Sequence, residues 1–364
     1  MRLLYLHQHY STPAGATATR SHALARALAA RGHAVTLACG RYAGAITGLE
    51  GPFAGRRREG RVGPVHVVEY DIPCGNAQGT AERAGAFLRF AARATPLAAR
   101  GGWDAVIASS TPLTVALPAL TARALRGTPF IFEIRDPWPE LPRAMGIGGP
   151  VSWAAMGALA TAACRGAAAV IALSEGMATT AIARGADPAR VHVVPNGCDL
   201  DLFGPRIPPW RPEGAASWEA LAVYAGAHGA ANGLDQLLDA ALWLRRAGER
   251  RVRLLLVGEG AEKTRLMARA ACLGLDNLSF LDPLPKPQLA ALLAGAQIGV
   301  QCLAPVAAFT EWTSPNKLMD YLAAGLPVVA NLPGRAARLL AEGPCGMATP
   351  PGDAAALGSA LAAL

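Results

Sequence analysis

"RLLYLHQHYSTPAGATATRSHALARALAARGHAVTLAC" (2–39) sets the pattern on which the rest of the chain is built. A short apolar run (2–8) gives way to a polar loop, then to Ala, Leu and Arg at helical spacing, then to a second apolar run (33–39). Gly32 stands where a left-handed residue would end the helix. The same kind of strand recurs at "VHVVEYDI" (65–72), "DAVIASS" (104–110), "PFIFEIRD" (129–136), "AAVIALS" (168–174) and "VHVVPN" (191–196). Strands alternating with helices predict a parallel, doubly wound α/β sheet.

"GPRIPPWRPEGAASW" (204–218) is rich in Pro and Gly and interrupts the pattern, as a linker would. Alternation then restarts at "LAVYAG" (221–226), "VRLLLVGEG" (252–260), "LSFLDPL" (278–284), "IGVQCL" (298–303) and "PVVANLPG" (327–334). The expectation is two Rossmann-like domains, 1–205 and 206–364, with ligands taken at the carboxyl ends of the strands, in a crevice between the halves.

Composition narrows the class. The 364 residues are 16% charged and carry no low-complexity tail, so the chain is globular. Seven cysteines lie far apart without a CxxC pair, which suits buried thiols in a reducing cytoplasm. "MRLLYLH" has the form of structured sequence rather than of an export leader, so a cytoplasmic location is expected. "VSWAAMGALATAAC" (151–164) is too short to span a bilayer and reads as a packed helix. The formal net charge of +8 falls almost wholly in 1–205, including "GRRREGR" (55–61). That excess is either a solvated arginine face or an attraction to an anionic membrane surface. Nucleic acid is not expected, because no aromatic residue interleaves with the basic run.

A nicotinamide enzyme is disfavoured as well. The first loop lacks GxGxxG, and "LACGR" has no acid at the ribose position. Gly258, in "VGEGAEKTRL", belongs to a lone GxG, which a tight strand-to-helix turn also uses.

"TSPNKLMDYLAAG" (313–325) holds one of the chain's three lysines. Ser314 suits an N-cap, Pro315 the first helical position and Lys317 the third. Such a helix start offers free N–H groups and a positive dipole end to a phosphate, with the Thr313 and Ser314 hydroxyls as further donors. Asp320 falls on the face of Asn316 and Lys317, within reach of a ribose diol. The alternative is a capped helix on which Lys317 and Asp320 pair in water.

"SPNKLMDYLAAGLPVV", "VPNGCDLDLF", "EIRDPWPE" and "LVGEGAEKTRL", in their order along the chain, resemble glycosyltransferase family 4. "RDPWPE", "GAHGAANGLD" and "TSPNK" are similar to the subgroup that includes N-acetylfucosamine transferases of bacterial surface-polysaccharide assembly. The resemblance implies a GT-B fold and a retaining transferase that moves a sugar from a UDP-sugar to a lipid-linked or saccharide acceptor. It also implies the nucleotide on the C-terminal domain and the acceptor on the N-terminal one.

The family's Glu-x7-Glu signature puts Asp320 at the ribose position. Its first place falls on Trp312, with Glu311 one residue off as the candidate for the donor sugar. The family's pyrophosphate Arg and Lys are replaced by Ala227 and Asn232. Leaving-group stabilisation then falls to the helix start near Ser314, to Lys317, to backbone N–H groups of Gly226–Gly229 and to His228, with Asn316 and Gly258 as further nucleotide-binding candidates. Donors aimed at the departing diphosphate lower the barrier most. "TPAGATATR" resembles the family's acceptor loop, with Gly15 and Arg20 as candidates and one glycine where two are usual. Asp136 is the candidate for positioning the attacking hydroxyl or the donor sugar, and Glu140 a second candidate for that work. Glu175 is a helix-start acid near the sugar, while Asn196 and Asp199 fix a turn. No Asp-x-Asp or His/Cys cluster suggests a metal, so a metal-free mechanism with no cofactor beyond the donor is expected. Family members continue past "AALGSALAAL" (355–364), so a C-terminally shortened domain is expected. Two rival readings are a UDP-sugar 2-epimerase of the same fold and a non-catalytic nucleotide-sugar-binding subunit.

Overall fold

The computed structural model describes residues 1–16 and 19–364, divided into two compact units, Met1–Pro195 and Asn196–Leu364. The first holds β1 (Arg2–Leu6), β2 (Ala34–Tyr42), β3 (Arg57–Val62), β4 (Val65–Cys74), β5 (Ala105–Ser109), β6 (Phe130–Ile134), β7 (Ala169–Ala172) and β8 (Val191–Val193). They form one sheet in the order β3-β4-β2-β1-β5-β6-β7-β8. All pairings are parallel except β3 on β4. Near-continuous burial of Leu3–Leu6 and Leu37–Cys39 reflects a sheet covered on both faces. The helix Arg20–Ala30 stops as its spacing predicts, with Gly32 at φ 84° donating to the Ala29 carbonyl.

Strand β3 was not expected. The basic run "GRRREGR" supplies it, as an antiparallel edge strand on β4. Arg58 donates to the buried Glu69 at 2.7 Å and lies over the Phe53 ring, and Arg57 pairs with Glu59. These arginines spend charge inside the unit, so the run is less of a free cationic face than its composition suggested.

The second unit holds β9 (Ala220–Ala225), β10 (Val252–Val257), β11 (Leu278–Leu281), β12 (Ile298–Gln301), β13 (Val328–Ala330) and β14 (Gly346–Ala348). Their order is β11-β10-β9-β12-β13-β14, all parallel. Its core gathers Tyr224, Leu237, Leu254, Leu256, Val300 and Leu357. In each sheet the strand order reverses beside the first strand, at β1/β5 and at β9/β12. Those switch points are where open α/β sheets take ligands.

The boundary falls earlier than the composition break at 204–218. "NGCDLDLF" belongs to the second unit because Asn196 bonds Ser314 through its backbone and side chain, while Phe203 packs beneath Lys286. "VSWAAMGALATAAC" lies within the helix Pro150–Gly166. Among the described residues no helix is long and apolar enough to cross a membrane.

Candidate functional site

Three segments meet at the carboxyl end of β9 in the second unit: the loop Gly226–Gly229, the loop after β10 and the helix Asn316–Ala323. The Lys317 Nζ lies 3.8 Å from the centroid of the buried Tyr224 ring. It is so close to Gly226 that a Cβ there would collide with it. Among the described residues Lys317 has no ion pair and no hydrogen-bond acceptor. Burial, with Lys286 nearby, brings its ammonium down to about 7, although Cys302 acts in the other direction. Such an ammonium is half discharged near neutrality and gains most from an incoming anion.

His228 lies beside it, fully buried, with neither ring nitrogen hydrogen-bonded. Burial lowers its pKa to about 4, helped by the charges of Lys263 and Lys317 and opposed by Glu259. The ring is therefore neutral, with one N–H to give and one lone pair to receive. Gly258 is forced by packing: φ is 148° and a Cβ would strike the Gly226 carbonyl. Gly229 is open, with nothing nearer to a Cβ than the Asn232 Nδ2 at 3.9 Å.

Two expected donors are already engaged. The N–H groups of Gly226 and His228 bond the Val257 and Glu259 carbonyls, which leaves those of Ala227 and Gly229. Ser314 is not the N-cap. The helix begins at Asn316 behind Pro315, with no side-chain cap. The Ser314 hydroxyl instead accepts the Asn196 N–H at 3.2 Å, which still frees its own O–H to donate. Thr313 is spent on the Phe309 carbonyl at 2.8 Å.

Asp320 and Lys317 do not pair, as the simpler reading of that helix required. The Asp320 Oδ2 accepts from Lys286 at 2.7 Å, and the Lys286 ammonium sits 5.3 Å over the Phe203 ring. Lys286 was missed from the sequence, though its rarity as a lysine was a usable signal. Only Oδ2 of Asp320 is engaged in that bond. Asn316 and Glu311 are both exposed, Glu311 at the end of the turn Ala307–Thr310.

In the first unit the candidates separate. Arg20 is committed to Glu133 at 2.7 Å in a nearly buried pair, which also takes bonds from Ser109 and Tyr5. Gly15 is needed by packing, since a Cβ would meet the Ser11 hydroxyl and the Ile46 backbone. Thr17 and Ala18, in the expected acceptor loop, lie outside the described residues. Glu140 pairs with Arg184, in a position that stitches two helices together. Glu175 opens the helix Glu175–Ala183, whose N-cap is Ser174. Asp136 is partly exposed just past β6 and is oriented by the Thr111 hydroxyl at 2.6 Å. Beside it, Arg135 donates to the His7 Nε2 at 2.8 Å.

The sequence profile of the glycosyl transferase 4-like domain matches residues 15–197, and that of glycosyl transferases group 1 matches residues 219–364. The chain belongs to the glycosyltransferase 4-like family. No curated protein sequence matches this glycosyltransferase. Solved structures of similar fold include sucrose-phosphate synthase from Thermosynechococcus elongatus, at 18% identity and TM-score 0.74 over 99% of this chain and 88% of that one. Another is the E. coli trehalose-6-phosphate protein bound with UDP-2-fluoro glucose, at 13% and 0.70 over 99% and 90%. A third is Anabaena HepE in complex with UDP and glucose, at 19% and 0.65 over 100% and 89%. At such identities the likeness establishes the fold, and the glycosyltransferase is GT-B.

Proposed function

We propose that this glycosyltransferase moves a sugar, of the N-acetylated amino-sugar class, from a UDP-sugar to a lipid-linked or saccharide acceptor in cell-surface polysaccharide assembly. The anomeric configuration is retained in this reading. The observation that carries it is the pairing, at one glycine loop, of a Lys317 ammonium that meets only the Tyr224 ring face with a buried His228 whose ring nitrogens are both unpaired. Buried polar groups without partners are rare and costly. A diphosphate would supply acceptors to both. The two similar structures solved with UDP or a UDP-sugar support the choice of nucleotide.

In this reading Lys317, the first N–H groups of the helix Asn316–Ala323, the Ser314 hydroxyl and the Gly229 N–H hold the diphosphate. They gain strength as the bond to the anomeric carbon breaks and its electron pair moves onto the phosphate oxygen. Asp320 receives the ribose diol on Oδ1. Asp136, steadied by Thr111, orients the acceptor hydroxyl, and Glu311 faces the donor sugar. Docking of the basic first unit on an anionic membrane surface would bring a lipid-linked acceptor within reach.

Calorimetry with UDP, ADP and NAD tests the ligand class, and Lys317→Met tests the site. UDP should bind best, and the variant should lose most of that binding. Equal affinity of the variant would overturn the reading. Conversion of UDP-N-acetylglucosamine to an epimer without acceptor would favour the epimerase instead.

A further inference from the structure

A second group of unpaired cations lies at the carboxyl end of the first sheet. Arg135 follows β6, its backbone N–H bonded to Ser110 past β5, and its one side-chain bond goes to His7. Arginine can only donate, so the His7 Nε2 accepts and its proton sits on Nδ1. That buried Nδ1 has no partner, and neither has the Arg135 Nε. Arg83, on the helix Thr80–Ala99, also has a buried Nε without a partner, and its guanidinium lies 5.8 Å from the Phe87 ring.

Both charges reach His9, whose ring is held neutral, at about 3, by burial and then by Arg135 and Arg83. Among the described residues neither Arg83 nor Arg135 has a carboxylate within ion-pair distance. The partly buried Arg20, Arg58 and Arg184, by contrast, each hold one. An aromatic wall borders the group: the His9 ring meets Tyr42 at a tilt, 4.4 Å between centroids, and Phe87 meets Trp138 edge-on at 6.3 Å.

We propose that Arg83 and Arg135 form an anion site for a phosphoryl group carried by the acceptor, with Tyr42, Phe87 and Trp138 facing the acceptor's apolar part. A phosphoryl group suits it better than a neutral hydroxyl cluster. Two fixed positive charges match its near-double negative charge, and the planar forks of arginine match its oxygens. The inference rests on the reading that the first unit holds the acceptor, and it narrows that acceptor to phosphorylated sugars or lipid diphosphates.

The test uses the full chain saturated with UDP, so that the nucleotide site is filled. One arm titrates glucose 6-phosphate against glucose by calorimetry. The other co-sediments the protein with phosphatidylcholine vesicles containing farnesyl diphosphate, against vesicles matched in charge by phosphatidylglycerol. Preference for the phosphorylated ligand in either arm is expected, and the responding arm names the source. Arg83→Gln and Arg135→Gln should each weaken that binding by about tenfold or more, while Arg135→Lys should retain part of it. Arg93→Gln, on the exposed face of the same helix, should leave it unchanged. Unaltered UDP binding certifies the fold of each variant. No preference in either arm, or an equal loss in Arg93→Gln, overturns the site while leaving UDP binding to judge the donor reading separately.

Discussion

The two sheets end in cations of different kinds. Every lysine of the chain, Lys263, Lys286 and Lys317, sits in the second unit on a segment that follows a carboxyl strand end. The first unit has only arginine. Arginine keeps its proton in any protein environment, whereas a buried lysine can give its proton up. The second unit therefore has a cation whose charge, in the proposed reading, would answer to a bound diphosphate. The first has cations that are fixed, and the histidines beside them, His7 and His9, are driven neutral. Chemistry at a departing diphosphate gains from a responsive charge; capture of a permanent anion gains from a constant one.

Paired and unpaired arginines in the first unit give the largest expected contrast. Burial would raise the Glu133 carboxyl, but the Arg20 and Arg135 charges and the Ser109 bond overcome it and hold it low. Glu133→Ala would strand the Arg20 guanidinium, at a cost of roughly 3–5 kcal/mol in denaturant unfolding. Arg135→Gln breaks no ion pair but gives up the bond to His7 and one charge near Glu133, and should cost less, about 1–2 kcal/mol. If the two variants prove equally destabilising, the division into structural and ligand-directed arginines fails.

Next in size is Lys317→Met. Loss of one charge-assisted bond to a diphosphate is worth about 1.5–3 kcal/mol, or roughly tenfold to a hundredfold in UDP affinity. Lys263, already tied to Asp282 at 2.7 Å and to Glu259, should matter far less, so Lys263→Met is the control. Equal losses would mean that general positive potential, rather than the Gly226 contact, attracts the nucleotide.

What the sequence disclosed follows the same line. Strands β1, β2 and β4 to β13 announced themselves as apolar runs, because both faces of each sheet are covered and burial leaves a compositional trace. Strand β3 did not, since an edge strand of Arg, Glu and Gly buries little and owes its place to Arg58 meeting Glu69. Strand β14, "GMA", is too short to show a period. At the candidate site, the placing of Lys317 and Asp320 on one helix was legible because helix geometry is local. The diversion of Ser314 to Asn196, of Arg20 to Glu133 and of Asp320 to Lys286 was not, because each partner is far away in sequence. Nor was it legible that Gly15 and Gly258 serve packing, since a glycine letter carries no record of its neighbours.

Asp320→Asn sharpens the donor side alone. If Oδ1 takes a ribose hydroxyl, UDP affinity should fall by roughly tenfold while inorganic pyrophosphate binds as before, a difference of about one hydrogen bond to a charged group. Parallel losses for both ligands would instead mean that the Asp320–Lys286 pair only braces the helix, and the same two titrations on Lys286→Met would then show the same pattern.

The smallest effect separates the two kinds of cation most directly. With its pKa at about 7 in the free protein, Lys317 is mostly protonated at pH 6.5 and mostly neutral at pH 8. A bound diphosphate holds the proton on, so UDP binding takes up a proton above that value and affinity falls by about eightfold across the interval. Stability of the free protein runs the opposite way. The unfolded lysine, at 10.5, binds more protons than the folded one between about 7 and 10.5, so this group adds stability as pH rises through that window. Melting curves of wild type minus Lys317→Met should therefore rise with pH while the UDP-induced shift shrinks. Phosphoryl binding at Arg83 and Arg135 should lack the Lys317 dependence, because no protein proton moves there in that range. A UDP affinity flat from pH 6.5 to 8 would mean that Lys317 is fully charged before the nucleotide arrives, and the distinction between a responsive and a fixed site would be lost.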